Sequence, residues 1–293
     1  MSESSPMTQM IVAPKAAKLD WPPSRKQRPS FQWSDIWRAP LHDFPIRDEI
    51  LYQFLPLSPE MDVLEIGPGC GFTAVRLARH VQHLTSLDIG KGTIQSLQEG
   101  LGGIPNLKFV CADVCTPELP KLHPARFDAA FGLAVFDLLP DPGTCLKNLG
   151  ALLRPGGRLL LQFPNYPPPK GRGITSFKNS DEIDRLMAAA AFESWETFAL
   201  TLRPYAGLIY GNLYDAPLQA LRRLRRGYSE QRPLSYDGTW TFQRTSRLNR
   251  YKWFVHSALG FLAFLIRLGG DCFQLRRLSG EILNNNLLLL GQR

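Results

Sequence analysis

The apolar positions of this chain alternate between two patterns. Residues 62–67 (DVLEIG), 83–88 (HLTSLD), 107–113 (LKFVCAD), 127–134 (FDAAFGLA) and 158–163 (RLLLQF) are short apolar segments bounded by Gly, Pro, Asn or Asp. That is the pattern of strands buried on both faces. Between them, 72–81 (FTAVRLARHV), 92–101 (GTIQSLQEGL) and 143–153 (GTCLKNLGALL) space their apolar residues at helical intervals, and the last runs into a turn, RPGG. A further amphipathic helix is expected over 46–56, where Ile46, Ile50, Leu51 and Phe54 share one face. The order βαβαβ predicts a parallel sheet covered by helices on both sides.

After Phe163 the regularity breaks at NYPPPKGRG, a stretch that continues neither a helix nor a central strand. Beyond it, 180–191 reads as a helix ending in an Ala run, and Leu287–Leu290 as a final buried strand. The sixth strand has two candidates, WETFALTL (195–202) and CFQLRRL (272–278); the first is favoured, which makes 203–280 an insertion with extra helices. The expected fold is a doubly wound, mostly parallel, seven-stranded Rossmann-like α/β sheet with a helical insertion near the C-terminus. Its expected parts are a disordered leader (1–30), a core (31–165), a substrate lid that also supplies part of the sheet (166–280) and a last core strand (281–293).

Composition narrows the class. With 44% apolar side chains in 293 residues the chain buries a full core, which excludes disorder throughout. The leader, rich in Ser, Pro and Lys/Arg, lacks the apolar stretch of a signal peptide, and no run of about eighteen apolar residues suggests a membrane span. Five scattered cysteines (Cys70, Cys111, Cys115, Cys145, Cys272) suit reduced thiols in a cytoplasm, without disulfides. The close pair Cys111 and Cys115 reads as two small buried residues rather than a metal site, so no metal is expected. The net charge of +8 is uneven: residues 1–170 hold 17 basic and 16 acidic side chains, residues 171–293 hold 17 and 10. The basic half implies attraction to something anionic, whether nucleic acid, a membrane surface or an acidic substrate.

The most informative segment is Val63 to Phe72, VLEIGPGCGF, a buried strand entering a Gly-rich turn that opens a helix. Glycine permits positive φ and removes the Cβ that would hold a ligand away, while the helix start offers free N–H groups. Asp88 ends the second strand, 17 residues after Gly71, where doubly wound folds place an acid against ribose hydroxyls. Asp113 follows the third strand. Parallel strands bring their carboxyl ends to one edge, so Glu65, Asp88, Asp113 and the 132–137 stretch are expected to line one crevice. A dinucleotide-binding oxidoreductase would need glycine at position 72 for its G-x-G-x-x-G fingerprint; Phe72 stands there instead.

The run EIGPGCG, the strand ends SLD and CAD, and LRPGG before RLLLQF resemble the motif series of class I S-adenosylmethionine (SAM)-dependent methyltransferases, and within them the small-molecule and quinone-type members called type 11. The resemblance covers roughly residues 60–165. It implies SAM as cofactor, with Glu65, Gly67, Pro68, Gly69, Cys70 and Gly71 beside the methionine moiety and Asp88 with Ile89 at the ribose. It further implies Asp113 with Val114 at the adenine, and Gly132 and Leu133 passing under the cofactor.

SAM carries an activated methyl group, so the protein's task is chiefly to hold a nucleophile about 3 Å from the methyl carbon, in line with the sulfur. A hydroxyl acceptor would also need a base. The segment after the fourth strand, GLAVFDLLPDP, lacks the D/N-P-P-Y/F tetrad of base-methylating enzymes. Asp137 in that segment reads as a capping or solvated acid before it reads as an acceptor-facing one. His256 reads as a packed residue, and Tyr166, Tyr205, Tyr210 and Tyr214 as pocket or packing residues alike. Substrate choice is expected beyond 165, where 217–228 (PLQALRRLRRGY) is a basic amphipathic segment and Trp253–Ile266 an apolar run flanked by Arg and Lys. The run reads as a buried lid helix, or else as an interfacial helix drawn to anionic lipid. The expected partner is a small hydrophobic or lipid-like acceptor, with an anionic membrane surface as a further partner and nucleic acid disfavoured. Two alternatives stay open: a membrane-surface protein with a vestigial SAM pocket, and an RNA-directed methyltransferase.

Overall fold

A computed structural model describes residues 49–69, 71–122, 126–167, 175–209, 271–278, 280–283 and 285–293. The leader 1–30, the segments 217–228 and 253–266, His256, Tyr210 and Tyr214 lie outside these residues.

In chain order the elements are α1 (Glu49–Phe54), β1 (Asp62–Ile66), α2 (Phe72–Leu77), β2 (His83–Asp88), α3 (Lys91–Leu101), β3 (Leu107–Cys111), α4 (Leu119–Leu122) and β4 (Phe127–Leu133). A single 3₁₀ turn (Phe136–Leu138) follows, then α5 (Pro142–Leu152), β5 (Leu153–Asn165), α6 (Ser180–Ala189), β6 (Ser194–Leu202), α7 (Pro204–Ile209), β7 (Phe273–Arg277) and β8 (Asn285–Gln292). The strands form one sheet in the order β3-β2-β1-β4-β5-β8-β6-β7. Strands β1 to β5 run parallel; β8 is antiparallel to both β5 and β6, and β7 is antiparallel to β6.

The sheet has eight strands, where seven were expected. Both candidates for the sixth strand are real: 194–202 is β6, and 273–277 is the edge strand β7 that pairs with it. Short, alternating segments with exposed arginines are what an edge strand requires, because one side of its backbone meets no partner. The region 166–280 therefore contributes two strands to the core sheet along with α6 and α7. The RPGG turn sits within β5 as a bulge: Leu153 pairs with Phe127, Arg158 with Ala129, and Gly156 adopts φ 76°.

The chain forms these elements for local reasons. Strand β1 is apolar and buried along nearly its whole length, as a central parallel strand must be. Helix α3 buries only Ile94 and Leu97 and leaves its other face in water. Helix α5 starts at Asp141, whose side chain accepts the Thr144 N–H, with Pro142 supplying a first position that needs no donor. Helix α6 starts at Asn179, which caps the Glu182 N–H, and carries Asp181 and Glu182 in its positive first turn.

Two apolar layers cover the sheet. One joins Leu51 and Phe54 of α1, Leu77 of α2 and Ile94 and Leu97 of α3 to Val63, Phe131 and Leu288. The other joins Leu146 and Leu149 of α5 and Ile183 and Met187 of α6 to Leu64, Ile66, Leu161 and Leu289. At the amino ends of the strands, Arg154 bridges Asp62 (2.7 Å) and Asp128 (2.6 Å), and Asp62 also meets His83 at 2.8 Å. This partly exposed clamp is worth at most about 1 kcal/mol per pair, and it ties β1, β2, β4 and β5 together away from their carboxyl ends.

At the other end Asn165, fully buried, closes β5. Its amide donates to the carbonyls of Phe177 (2.8 Å) and Ile282 (2.9 Å), and its carbonyl accepts the Phe177 N–H (2.8 Å). One side chain thus fastens the 175–177 strap and the turn before β8 to the sheet. Removing it strands three buried backbone groups. Asn165→Ala is expected to lower unfolding free energy by roughly 2–4 kcal/mol in urea denaturation; a loss under about 0.5 kcal/mol would contradict the account.

Candidate active site

The register of the parallel strands sets the geometry of the site. Ile66, the last residue of β1, pairs with Leu87 of β2 and Gly132 of β4, while Asp88 pairs with Cys111 and Leu133 with Gln162. The chain leaves these strands at one level, and the Gly67 N–H still donates to the Leu87 carbonyl at 2.9 Å. Strand order reverses between β1 and β4, the point where open α/β sheets part to leave a crevice.

Gly67, Gly69 and Gly71 all adopt left-handed backbone, with φ of 66°, 54° and 76°. Their reasons differ. A Cβ on Gly67 would lie 2.6 Å from Val135 Cγ2, and one on Gly71 would meet Leu97 and Leu101 of α3 at 2.7 Å. These two glycines are demanded by packing as well as by φ. Gly69 is exposed, and a Cβ there would meet nothing within 4 Å, so its backbone faces open space. Pro68 between them is buried; Cys70 lies outside the described residues.

Glu65 is only 3% exposed and accepts a hydrogen bond from the Ser86 hydroxyl at 2.6 Å, which ties β1 to β2 beneath the turn. Asp88 is half-buried. Its Oδ1 accepts the Gly90 N–H at 2.7 Å, and burial raises its pKa above the ordinary carboxylate value against that bond. Ile89 beside it is exposed. Asp113 lies two residues past β3, where its Oδ1 accepts the Cys115 N–H at 2.8 Å in a local turn, and the Ala112 N–H donates to the Asp88 carbonyl. Val114 points into the core, and its carbonyl accepts from Asn148. Gly132 has no room for a Cβ, which would meet Ile66 at 2.7 Å and Val135 at 2.8 Å; Leu133 packs on the α1–α3 layer.

Several expectations need correction. Cys111 is exposed and Cys115 half-buried, so neither is the buried strand-end residue the sequence suggested; burial and the nearby Asp113 and Asp141 push the Cys115 thiol pKa up. Tyr205 is a packing residue whose hydroxyl donates to the Asp271 carbonyl, whereas Tyr166 is exposed past the end of β5. Asp137 is neither solvated nor a helix cap. It is 6% exposed, its Oδ1 is buried without a hydrogen-bond partner among the described residues, and the 3₁₀ turn that contains it has no side-chain cap. Burial raises its pKa to about 6, opposed only by its own backbone N–H.

Sequence reading also missed Ala134 and Val135. Ala134, at φ 56°, turns the chain sharply out of β4 while its N–H donates to the Gln162 carbonyl at 2.7 Å. A non-glycine residue there carries strain. The turn drops Val135 between Gly67 and Gly132. Nothing in an alanine or a valine marks such a role; only the pairing of two glycines distant in sequence could have hinted at it.

The chain is similar to known methyltransferases. Residues 64–161 match the family described as "Methyltransferase domain". An uncharacterized methyltransferase of Mycobacterium tuberculosis is 35% identical over 123 residues, 42% of this chain and 58% of that protein. A trans-aconitate 2-methyltransferase of Deinococcus radiodurans is 29% identical over 154 residues (52% and 55%), and a ubiquinone biosynthesis O-methyltransferase of Coxiella burnetii 30% over 132 residues (43% and 53%). The chain thus spans little more than half the length of these relatives. The [4+2]-cyclase SpnF superposes with a TM-score of 0.49 at 14% identity, over 85% of this chain and 79% of that one. Residues 64–161 thus match a methyltransferase domain, and the likenesses support a class I, SAM-dependent methyltransferase. The residues present fit that cofactor: the backbone at Gly69 faces open space, and the Asp88 carboxylate at the end of β2 can accept hydrogen bonds from hydroxyls.

The Asp137 carboxylate gives a stability test. An acid whose folded pKa lies above its ordinary value opposes folding once it is ionised. The penalty is absent well below pH 4, grows between about pH 4 and pH 6, and is complete above, at roughly 3 kcal/mol. Asp137→Asn is expected to be the more stable protein at pH 8, by an advantage larger by roughly 1–1.5 kcal/mol than at pH 5. An equal effect at both pH values in denaturant unfolding would contradict the buried, unpaired state.

Proposed function

We propose that this protein transfers the methyl group of SAM to a small, apolar or lipid-like acceptor. The observation that carries the reading is the common carboxyl edge of β1, β2 and β4, where the open glycine turn and Asp88 flank the point of strand reversal. In this reading the backbone of Gly67, Pro68, Gly69, Cys70 and Gly71 and the buried Glu65 hold the methionine portion. Asp88, with Ile89 beside it, accepts both ribose hydroxyls; Asp113 and Val114 border the adenine; and Gly132 and Leu133 form the floor. The bound cofactor supplies the activated methyl group. The protein's own contribution is placement, since holding the acceptor in line with the breaking bond removes most of the entropic barrier.

One observation favours an acceptor with an apolar part, and another a small one. Leu138, just after β4, and Tyr166, just after β5, are large apolar side chains left exposed by strands that end at this edge. The relatives named for trans-aconitate and for ubiquinone biosynthesis act, by those names, on small metabolites. No helix among the described residues is long and apolar enough to cross a membrane.

Calorimetry with SAM tests the reading. The wild-type chain is expected to bind it, and Asp88→Ala, which removes hydrogen bonds to a charged group worth about 1.5–3 kcal/mol each, to bind at least about thirty-fold more weakly. No binding by the wild type, or equal binding by the variant, would contradict it.

A further inference from the structure

Asp137 combines features that core packing does not explain. A buried carboxylate oxygen without a partner is a costly arrangement, and a group of this kind in a folded protein calls for a reason beyond stability. The surroundings hold the residue in place. Its carbonyl accepts the Thr175 N–H at 2.7 Å, and the Thr175 hydroxyl donates to the Leu139 carbonyl at 2.9 Å, so the strap and the 3₁₀ turn are tied together. Phe136, one residue earlier, packs against Phe163 and Phe177 with ring centroids 5.0 and 6.0 Å apart. The turn is thus rigid on its core side, and neither the strap nor the aromatic cluster offers Oδ1 a donor.

Its position is equally specific. Asp137 follows Val135 by two residues, and Val135 is the side chain wedged against Gly67 of the glycine turn. Exposed Leu138 comes next in the chain. Asp137 therefore belongs to the segment that leaves the sheet at the point of strand reversal, two residues beyond the side chain that packs on the glycine turn.

We propose that Asp137 is the catalytic base of the transfer and that the acceptor is a proton-bearing nucleophile, a hydroxyl or an amine, whose proton Oδ1 takes. This rests on the methyltransferase reading above. The acceptor's heteroatom forms its bond to the methyl carbon as the sulfur–methyl bond breaks, and the electron pair of that bond stays on sulfur, leaving neutral S-adenosylhomocysteine. The acceptor's proton passes to Asp137, which later releases it to water. One positive charge on sulfur and one negative charge on the carboxylate are consumed together, so the buried site ends neutral. The raised proton affinity of Asp137 suits it to this work near neutral pH.

Sinefungin, the SAM analogue in which an amine stands at the place of the transferred methyl, tests the proposal without a known acceptor. At pH 8 its ammonium would meet the Asp137 carboxylate. Calorimetry on the full chain is expected to show sinefungin binding roughly ten- to a hundred-fold more tightly than S-adenosylhomocysteine, the range of a hydrogen bond to a charged group. Asp137→Asn, and Asp137→Ser as a second variant, are expected to abolish that preference and leave S-adenosylhomocysteine affinity within about three-fold. A wild type that binds both ligands without preference overturns the proposal, whatever the variants do, and so does a preference that survives both substitutions. A wild type that binds neither ligand overturns the methyltransferase reading itself.

Discussion

Every feature of the site depends on one packing constraint: β1 lies between β2 and β4 in parallel register, and the chain leaving β4 must pass close to the chain leaving β1. Val135 is the point of contact. It fits only because Gly67 and Gly132 both lack a Cβ, and it reaches that position only because Ala134 accepts a left-handed backbone. If the register slipped by one residue, Glu65 would lose Ser86, the glycine turn would lose its support, and Ile66 would no longer stand level with Leu87.

The two ends of the sheet illustrate a division of labour. The amino end is closed by ordinary means, with Arg154, Asp62, Asp128 and His83 satisfying one another in partly exposed positions. The chain leaving β1 and β4 at the carboxyl end includes three left-handed glycines, a left-handed alanine and a buried acid with one oxygen lacking a partner among the described residues. Each costs stability locally. Strained backbone and unpaired polar groups persist only where the surrounding structure over-determines them, and here the two apolar layers and the Asn165 network do so.

The parallel half of the fold was legible because buried parallel strands are apolar along their length and are cut off by Gly, Pro or Asp. Residues 83–88 were read with the bounds the structure shows, and β1, β3 and β4 to within two residues. The C-terminal half was less legible. Segments 194–202 and 273–277 looked like rivals for one place because no sequence rule says that β7 pairs with β6 across a long connection. The glycine turn, Asp88 and Asp113 could be placed at one edge from topology alone. The roles of Ala134, Val135 and Asp137 could not, since they follow from tertiary contacts. Asp137 in particular was misread because an acid next to a helix start is ordinarily a cap, and only the fold shows that it does not cap the turn that holds it.

The central claim is that the glycine turn and Asp88 meet around one adenosine-containing molecule. A crystal structure of the full chain grown with S-adenosylhomocysteine tests it most directly. The account predicts the ligand lying across the carboxyl edge of β1, β2 and β4, its amino-acid portion against the backbone of residues 67–71 and both ribose hydroxyls on the Asp88 carboxylate. Density for the ligand elsewhere on the molecule, or a bound ribose with Asp88 turned away from it, would contradict the account.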